Sequence, residues 1–288
     1  STGRSVSPLG YGSVPIGREA YPSADAAQLL DAVLDAGLTL IDTAAAYGKA
    51  EEEIGKAIAR RRDQYTLVTK TGATDDYAPA WSAREIRETT ERSLRRLKAD
   101  VIDVVLLHTC DLDLLRRGEA VDGIQELRER QLTRWIGYSG DNEALAYALE
   151  LGIFDVIEAS YSPLDQANRA LLRQAEGAGL GVLLKRPLAN GVPGRTTPPA
   201  DAYAGAYWPR WEALGLTRDD IGGLEWPEAS LRFAAYAGGV TCALTGSGNS
   251  DHIQANISAV NAGPLPADVV AHLEQRFDET ADDWPGLT

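Results

Sequence analysis

Short apolar runs alternate with longer amphipathic stretches along the whole chain. The runs are residues 7–13, 38–44, 65–70, 101–108, 133–139, 154–161, 181–186 and 239–246. Each is apolar or β-branched nearly throughout, as a strand covered on both faces should be. The stretches between them carry helical spacing. Residues 24–36 place Ala26, Leu29, Leu30, Val33 and Leu34 on one face and close at Gly37, and residues 82–98 open with Ser82 and Glu85 as a capping box. Further helical stretches are expected at 49–61, 119–130, 142–151, 166–178, 227–237 and 250–261. Eight strands, each followed by a helix, predict an α/β chain closed into a (β/α)8 TIM barrel, with residues 1–288 as a single domain. A doubly wound open sheet is the alternative. It would need a composition break that this chain lacks, and the segments GYGSVPIG (10–17) and GSGNSD (246–251) fail the spacing of a dinucleotide fingerprint. Two segments depart from the pattern. Residues 191–226 are expected to form a long Gly/Pro/Trp-rich loop, and residues 266–277 an extra C-terminal helix.

Composition narrows the function classes. The chain has 28 Lys and Arg against 42 Asp and Glu, a net charge of −14, which disfavours nucleic acid as a partner. No stretch approaches the ~20 apolar residues of a membrane helix, and STGRSVSPLG lacks the apolar core of a secretory signal. The expectation is a soluble, cytoplasmic protein with no membrane partner. Cys110 and Cys242 are too few for a disulfide scaffold and lack metal-ligand spacing.

In a (β/α)8 barrel the chemistry gathers at the C-terminal ends of the strands. The second predicted strand ends in Asp42, with Tyr47 in the loop beyond it, the third ends in Lys70 and the fourth in His108. Alone, each has an ordinary explanation: a cap, a surface aromatic, a solvated amine, a buried core histidine. Together, on three consecutive strand ends, they make a proton-donating device. A phenol with pKa near ~10 is a weak acid; a neighbouring ammonium lowers that value, a carboxylate holds the ammonium, and an imidazole can orient a carbonyl oxygen. Such a device suits a carbonyl becoming an alkoxide.

At these residues the sequence resembles the aldo-keto reductase superfamily. The segments that carry the resemblance are IDTAAAYGKAEEEIGKAI (41–58), VTKTG (68–72), VVLLH (104–108), IGYSG (136–140), KRPLANG (185–191) and LTGSGNSDHIQANI (244–257). It spans essentially the whole chain. It implies reduction of a small-molecule aldehyde or ketone by NADP or NAD, with Tyr47 as proton donor, Lys70 paired with Asp42, and His108 on the carbonyl. It also implies cofactor contacts from Ser13, Ser139, Gly140, Glu158, Lys185, Arg186, Pro187, Leu188, Asn190, Ser247, Gly248, His252 and Asn256. Several departures stand out. Gly140 replaces a common Asn, and Glu158 replaces a Gln that would meet the nicotinamide carboxamide. Where NADP-preferring members carry a Lys and an Arg for the 2′-phosphate, this chain has Gly246 and His252, so NAD use is expected at least as readily as in other members. Val14 and Thr109 stand where animal members often carry tryptophan, leaving Trp81, Trp208 and Trp211 as candidate pocket walls or packing anchors. The resemblance implies a monomer. Rival readings are a non-catalytic cofactor-binding member of the fold and a Schiff-base lyase using Lys70 or Lys185. A metal-dependent hydrolase is weaker, because His108 lacks a ligand partner and His252 and His272 fall in predicted helices.

Overall fold

The computed structural model describes residues 2–73 and 79–287. Eight parallel strands close into a barrel in sequence order: β1 (Leu9–Gly12), β2 (Leu40–Asp42), β3 (Thr66–Thr71), β4 (Ile102–His108), β5 (Thr133–Ser139), β6 (Val156–Ser160), β7 (Gly181–Lys185) and β8 (Cys242–Thr245). The expected (β/α)8 architecture is therefore the observed one. Each strand falls within or one residue beyond a predicted apolar run.

The pleat decides what the barrel encloses. Successive side chains point to opposite faces, so residues at even spacing share the interior. Leu40, Val68, Val104, Leu106, Val156, Leu183, Cys242 and Leu244 form one buried apolar cluster inside the barrel. The intervening positions, such as Ile41, Leu67, Val105, Ile157 and Val182, face outward into the core shared with the helices. Continuing the inward series by two residues towards the C-terminal rim reaches Asp42, Lys70, His108 and Glu158. On β5 and β7 the matching positions are Ser139 and Lys185. The register sets Ser139 beside both His108 and Glu158, while Lys70 stands beside Leu106, one inward position below His108. A polar layer thus caps an apolar one because β2 to β7 change from apolar to polar inward residues towards their C-terminal ends.

The helices follow the expected order, and the capping box at Ser82 forms with both of its bonds. Helix Ala50–Ala57 is shorter than the stretch predicted from 49–61; it ends where the chain tightens into a 3-10 turn at Ala59–Gln64. Residues 191–226 are more ordered than a loop. They fold into helices Ala202–Gly205 and Trp208–Leu214 and a 3-10 turn at Asp219–Ile221. Pro209 sits in the first turn of its helix, where no amide hydrogen is required. Trp211 packs edge-on against Trp226 at 5.0 Å, and its indole N–H donates to the carbonyl of Arg195. Trp211 is therefore a packing anchor. The C-terminal helix runs from Ala267 to Thr280. Among the described residues no helix is long and apolar enough to cross a membrane.

Candidate active site

The four residues singled out at the strand ends converge. Lys70 is 1% exposed, and its Nζ donates to Asp42 Oδ1 at 2.5 Å and to the carbonyl of Thr43 at 3.2 Å. The Tyr47 ring, delivered by the tight turn after β2, lies 5.2 Å from that ammonium. The His108 ring meets Tyr47 edge-on, centroids 5.6 Å apart and planes at 82°. His108 also borders a cavity of about 330 Å³ whose walls include Gly72, Trp81, Thr109, Asp111 and Leu114. Trp81 packs closely against Gly72, where an added Cβ would sit 2.0 Å from the ring. Of the three tryptophans considered, Trp81 is the pocket wall.

Electrostatics assign the protonation states. Burial alone would drive the Lys70 ammonium down, but Asp42, Glu158 and the Tyr47 phenol together outweigh it and hold the pKa above its ordinary value. Lys70 is therefore a permanent cation. His108 moves the other way: enclosure of the ring, then the charges of Lys70, Lys185 and Arg186, push it well below the usual imidazole range. It is neutral at pH 7 and can donate one N–H. Asp42 is raised to about 8, first by burial and then by the charge of Glu158.

Glu158 is the member of this cluster that sequence reasoning placed differently. Its Oε1 accepts from Ser139 Oγ at 3.0 Å, while Oε2 lies 3.3 Å from Lys70 Nζ. It touches the catalytic-type lysine as well as the position expected to meet a cofactor amide. The contact was invisible in the sequence because β3 and β6 are distant in the chain. Gly140 also has a steric reason: a Cβ there would fall 2.3 Å from Tyr138 Oη, which is itself held by the carbonyl of Cys110. A side chain in the Asn position is excluded by Tyr138. Asp141, missed as a site residue, pairs with Lys185 at 3.0 Å.

The remaining candidates flank this cluster. Ser13, at the end of β1, is fully buried, and its Oγ has no hydrogen-bond partner among the described residues. Arg186 does not stand free for a phosphate. Its guanidinium bonds Tyr203 Oη and the carbonyl of Leu287, and stacks over the Tyr203 ring at 4.6 Å. The chain after it turns sharply through Pro187 and Leu188, with positive φ at Arg186, Ala189, Asn190 and Gly191. Around β8, Ser247 Oγ is 3.2 Å from His252 Nδ1, and Tyr21 Oη donates to the carbonyl of Gly248. Asn249 caps the helix Ser250–Asn261, on which His252 is exposed and Asn256 buried. Their amides and side chains suit an anion beside the helix N-terminus.

The model of the aldo/keto reductase family matches residues 8–277. The chain belongs to the aldo/keto reductase family. It is an NAD(P)H-dependent enzyme of that family. It is similar to the uncharacterized oxidoreductase YqkF of Bacillus subtilis, 27% identical over 288 residues that cover 93% of this chain and 92% of the relative. Among solved structures, a holo aldo-keto reductase of Bacillus halodurans superposes with a TM-score of 0.81 at 26% identity, covering 94% and 92% of the two chains. An aldo-keto reductase of Klebsiella pneumoniae in complex with NADPH gives a TM-score of 0.73 at 26% identity, with 94% and 90% covered.

Proposed function

We propose that this aldo/keto reductase reduces an aldehyde or ketone to an alcohol, with Tyr47 giving the proton and His108 orienting the carbonyl oxygen. The observation that carries the reading is the buried Lys70 ammonium beside the Tyr47 ring, with His108 at the cavity wall. A fixed cation next to a phenol stabilises the phenolate left after proton transfer. Neutral His108 can donate to a substrate oxygen without competing for the proton. Asp42 holds the ammonium in place. The chemistry expected of a bound reduced nicotinamide is hydride donation to the carbonyl carbon.

The groups that would hold that cofactor are supported by fit. Ser13 Oγ and Ser139 line the rim with hydroxyls, and Glu158 can accept from an amide NH2. The β7 turn from Lys185 to Asn190 and the β8 turn from Ser247 through His252 to Asn256 would take the pyrophosphate and adenosine ends. No lysine or arginine stands at Gly246 or at position 252 to grip a 2′-phosphate, which favours NAD. The Schiff-base alternative needs a neutral, reachable amine. Lys70 is enclosed and held charged, and Lys185 is paired with Asp141.

Turnover of NADH and NADPH with 4-nitrobenzaldehyde tests the reading. Tyr47→Phe is expected to lower kcat by ~10²–10⁴, with cofactor Kd, read by tryptophan fluorescence, changing less than about twofold. Undiminished turnover in that variant rejects Tyr47 as donor. The same titration compares cofactors: NADH should bind no more weakly than NADPH. Adding one charge-assisted contact with His252→Arg should tighten NADPH about tenfold. Wild-type NADPH binding a hundredfold tighter than NADH rejects the NAD preference.

A further inference from the structure

We propose that Glu158 is a second counter-ion of Lys70, forming with Asp42 a proton-sharing pair that sets the charge under which the Tyr47 phenol ionises. It rests on the reading of Tyr47 as proton donor and extends it to a positioning residue across the barrel. The geometry is specific. Lys70 Nζ lies 2.5 Å from Asp42 Oδ1 and 3.3 Å from Glu158 Oε2. All three side chains are almost fully enclosed, at 1%, 4% and 2% exposure. Glu158 Oε2 accepts no hydrogen bond from any donor among the described residues. It shares the Lys70 ammonium with Asp42, so two buried carboxyls crowd one cation, and the charge of Glu158, after burial, raises the Asp42 pKa. Two like charges held this close in a buried site favour keeping one proton between them.

Charge counting gives the consequence. One ammonium and two carboxylates leave a net charge of −1 in a site without solvent, which is costly. Retaining one proton between the carboxyls makes the trio neutral. Losing it at higher pH restores the −1. Beside a neutral trio, Lys70 favours the phenolate; beside an anionic one, the phenolate is opposed. Tyr47 therefore ionises at higher pH than it would with a neutral amide at position 158. Glutamine has the same shape and can still meet Ser139, so it would hold the trio neutral at every pH.

The other groups facing Glu158 do not supply the missing charge. From β4 comes neutral His108, and from β5 Ser139 and Asp141. Asp141 is neutralised by Lys185 of β7. Arg186, beyond β7, is turned to Tyr203 and Leu287. On β8 the Cys242 thiol, near Asp42, is kept protonated by its burial. Tyr47 itself comes from the turn after β2.

The test is the pH dependence of kcat from pH 6 to 11, for reduction of 4-nitrobenzaldehyde and oxidation of the matching alcohol, in wild type and Glu158→Gln. Reduction needs the phenol and oxidation the phenolate. Both limbs are expected to move down by one pH unit or more in the variant. Limbs that stay in place while only cofactor Kd worsens would make Glu158 a cofactor contact alone and overturn the proposal, as would a shift to higher pH. Should E158Q not fold, Asp42→Asn leaves Glu158 as the sole counter-ion. It is expected to move the limbs the same way, and unmoved limbs there overturn the idea equally. Failure of the underlying reading looks different: Tyr47→Phe would keep its activity whatever Glu158 does.

Discussion

At position 158 one oxygen in place of an amide nitrogen changes the energetics of the whole polar layer. Asp42, coupled to Glu158, binds its proton more tightly in the folded chain than in the unfolded one, where a carboxyl titrates near ~4. A folded pKa raised to about 8 means that the native state holds the extra proton between those limits. Stability therefore falls as pH rises from about 4 to about 8, by at most ~1.4 kcal/mol per unit for one proton, and the loss is complete above that window. Removing Glu158's charge removes the largest cause after burial. Melting temperatures of Glu158→Gln and wild type should diverge as pH is raised from 5 to 8, with the variant increasingly the more stable. A constant difference across that range would mean that the pair holds no shared proton. Much of this layer was readable in advance: Asp42, Tyr47, Lys70 and His108 announce themselves as reactive groups ending apolar runs. The pairing of Glu158 with Lys70, and of Asp141 with Lys185, was not, because it depends on which strands face each other across the barrel. Periodicity gives the face of each strand and says nothing of its partner opposite.

The elements were legible where burial is periodic. Strand ends and helix faces followed from apolar spacing, and Ser82 with Glu85 marked a helix start through local bonds alone. Residues 191–226 were not legible, because their helices are short and anchored by tertiary contacts such as Trp211 on Trp226. One close element contact offers a measure of packing. Helix Ala50–Ala57 crosses helix Ala83–Leu97 so tightly that a Cβ on Gly55 would sit 2.1 Å from the carbonyl oxygen of Arg96. Alanine gains about 1 kcal/mol of helix propensity over glycine, but a contact this short must push the two helices apart, at ~1–3 kcal/mol or more. The steric effect wins against a rigid backbone atom. Gly55→Ala is expected to lower the melting temperature by several degrees; a stabilised variant would show that the helices separate freely.

On the scale of the whole molecule, the chain beyond the last helix ties the barrel rim together. After Thr280 it runs back over the ends of β5, β6 and β7. Trp284 packs edge-on against Phe277 at 5.8 Å and lies 5.2 Å beneath the Arg210 guanidinium. Arg210, buried in the 191–226 segment, donates to the carbonyl of Pro285 at 2.5 Å. Asn142 bonds both the N–H and the carbonyl of Gly286, Asp165 accepts from the amide of Leu287, and Ser160 donates to its carbonyl. These hydrogen-bonding partners belong to three consecutive βα units, those of β5, β6 and β7, so the tail couples segments that otherwise meet mainly through the sheet. Ending the chain after Ala281 would strip Arg210 and Asp165 of hydrogen bonds in a site built to exclude water. Each loss costs about 1–3 kcal/mol, softened where water enters. For a chain of this size, a net ~3 kcal/mol corresponds to a fall of roughly 6–12 °C in melting temperature. The same truncation releases Arg186 from Leu287, so cofactor affinity should hold or rise while stability drops. A truncated chain that melts with the wild type would show that the rim is stable without its tail. One that melts lower and also loses cofactor affinity would show that the tail shapes the cofactor site from above.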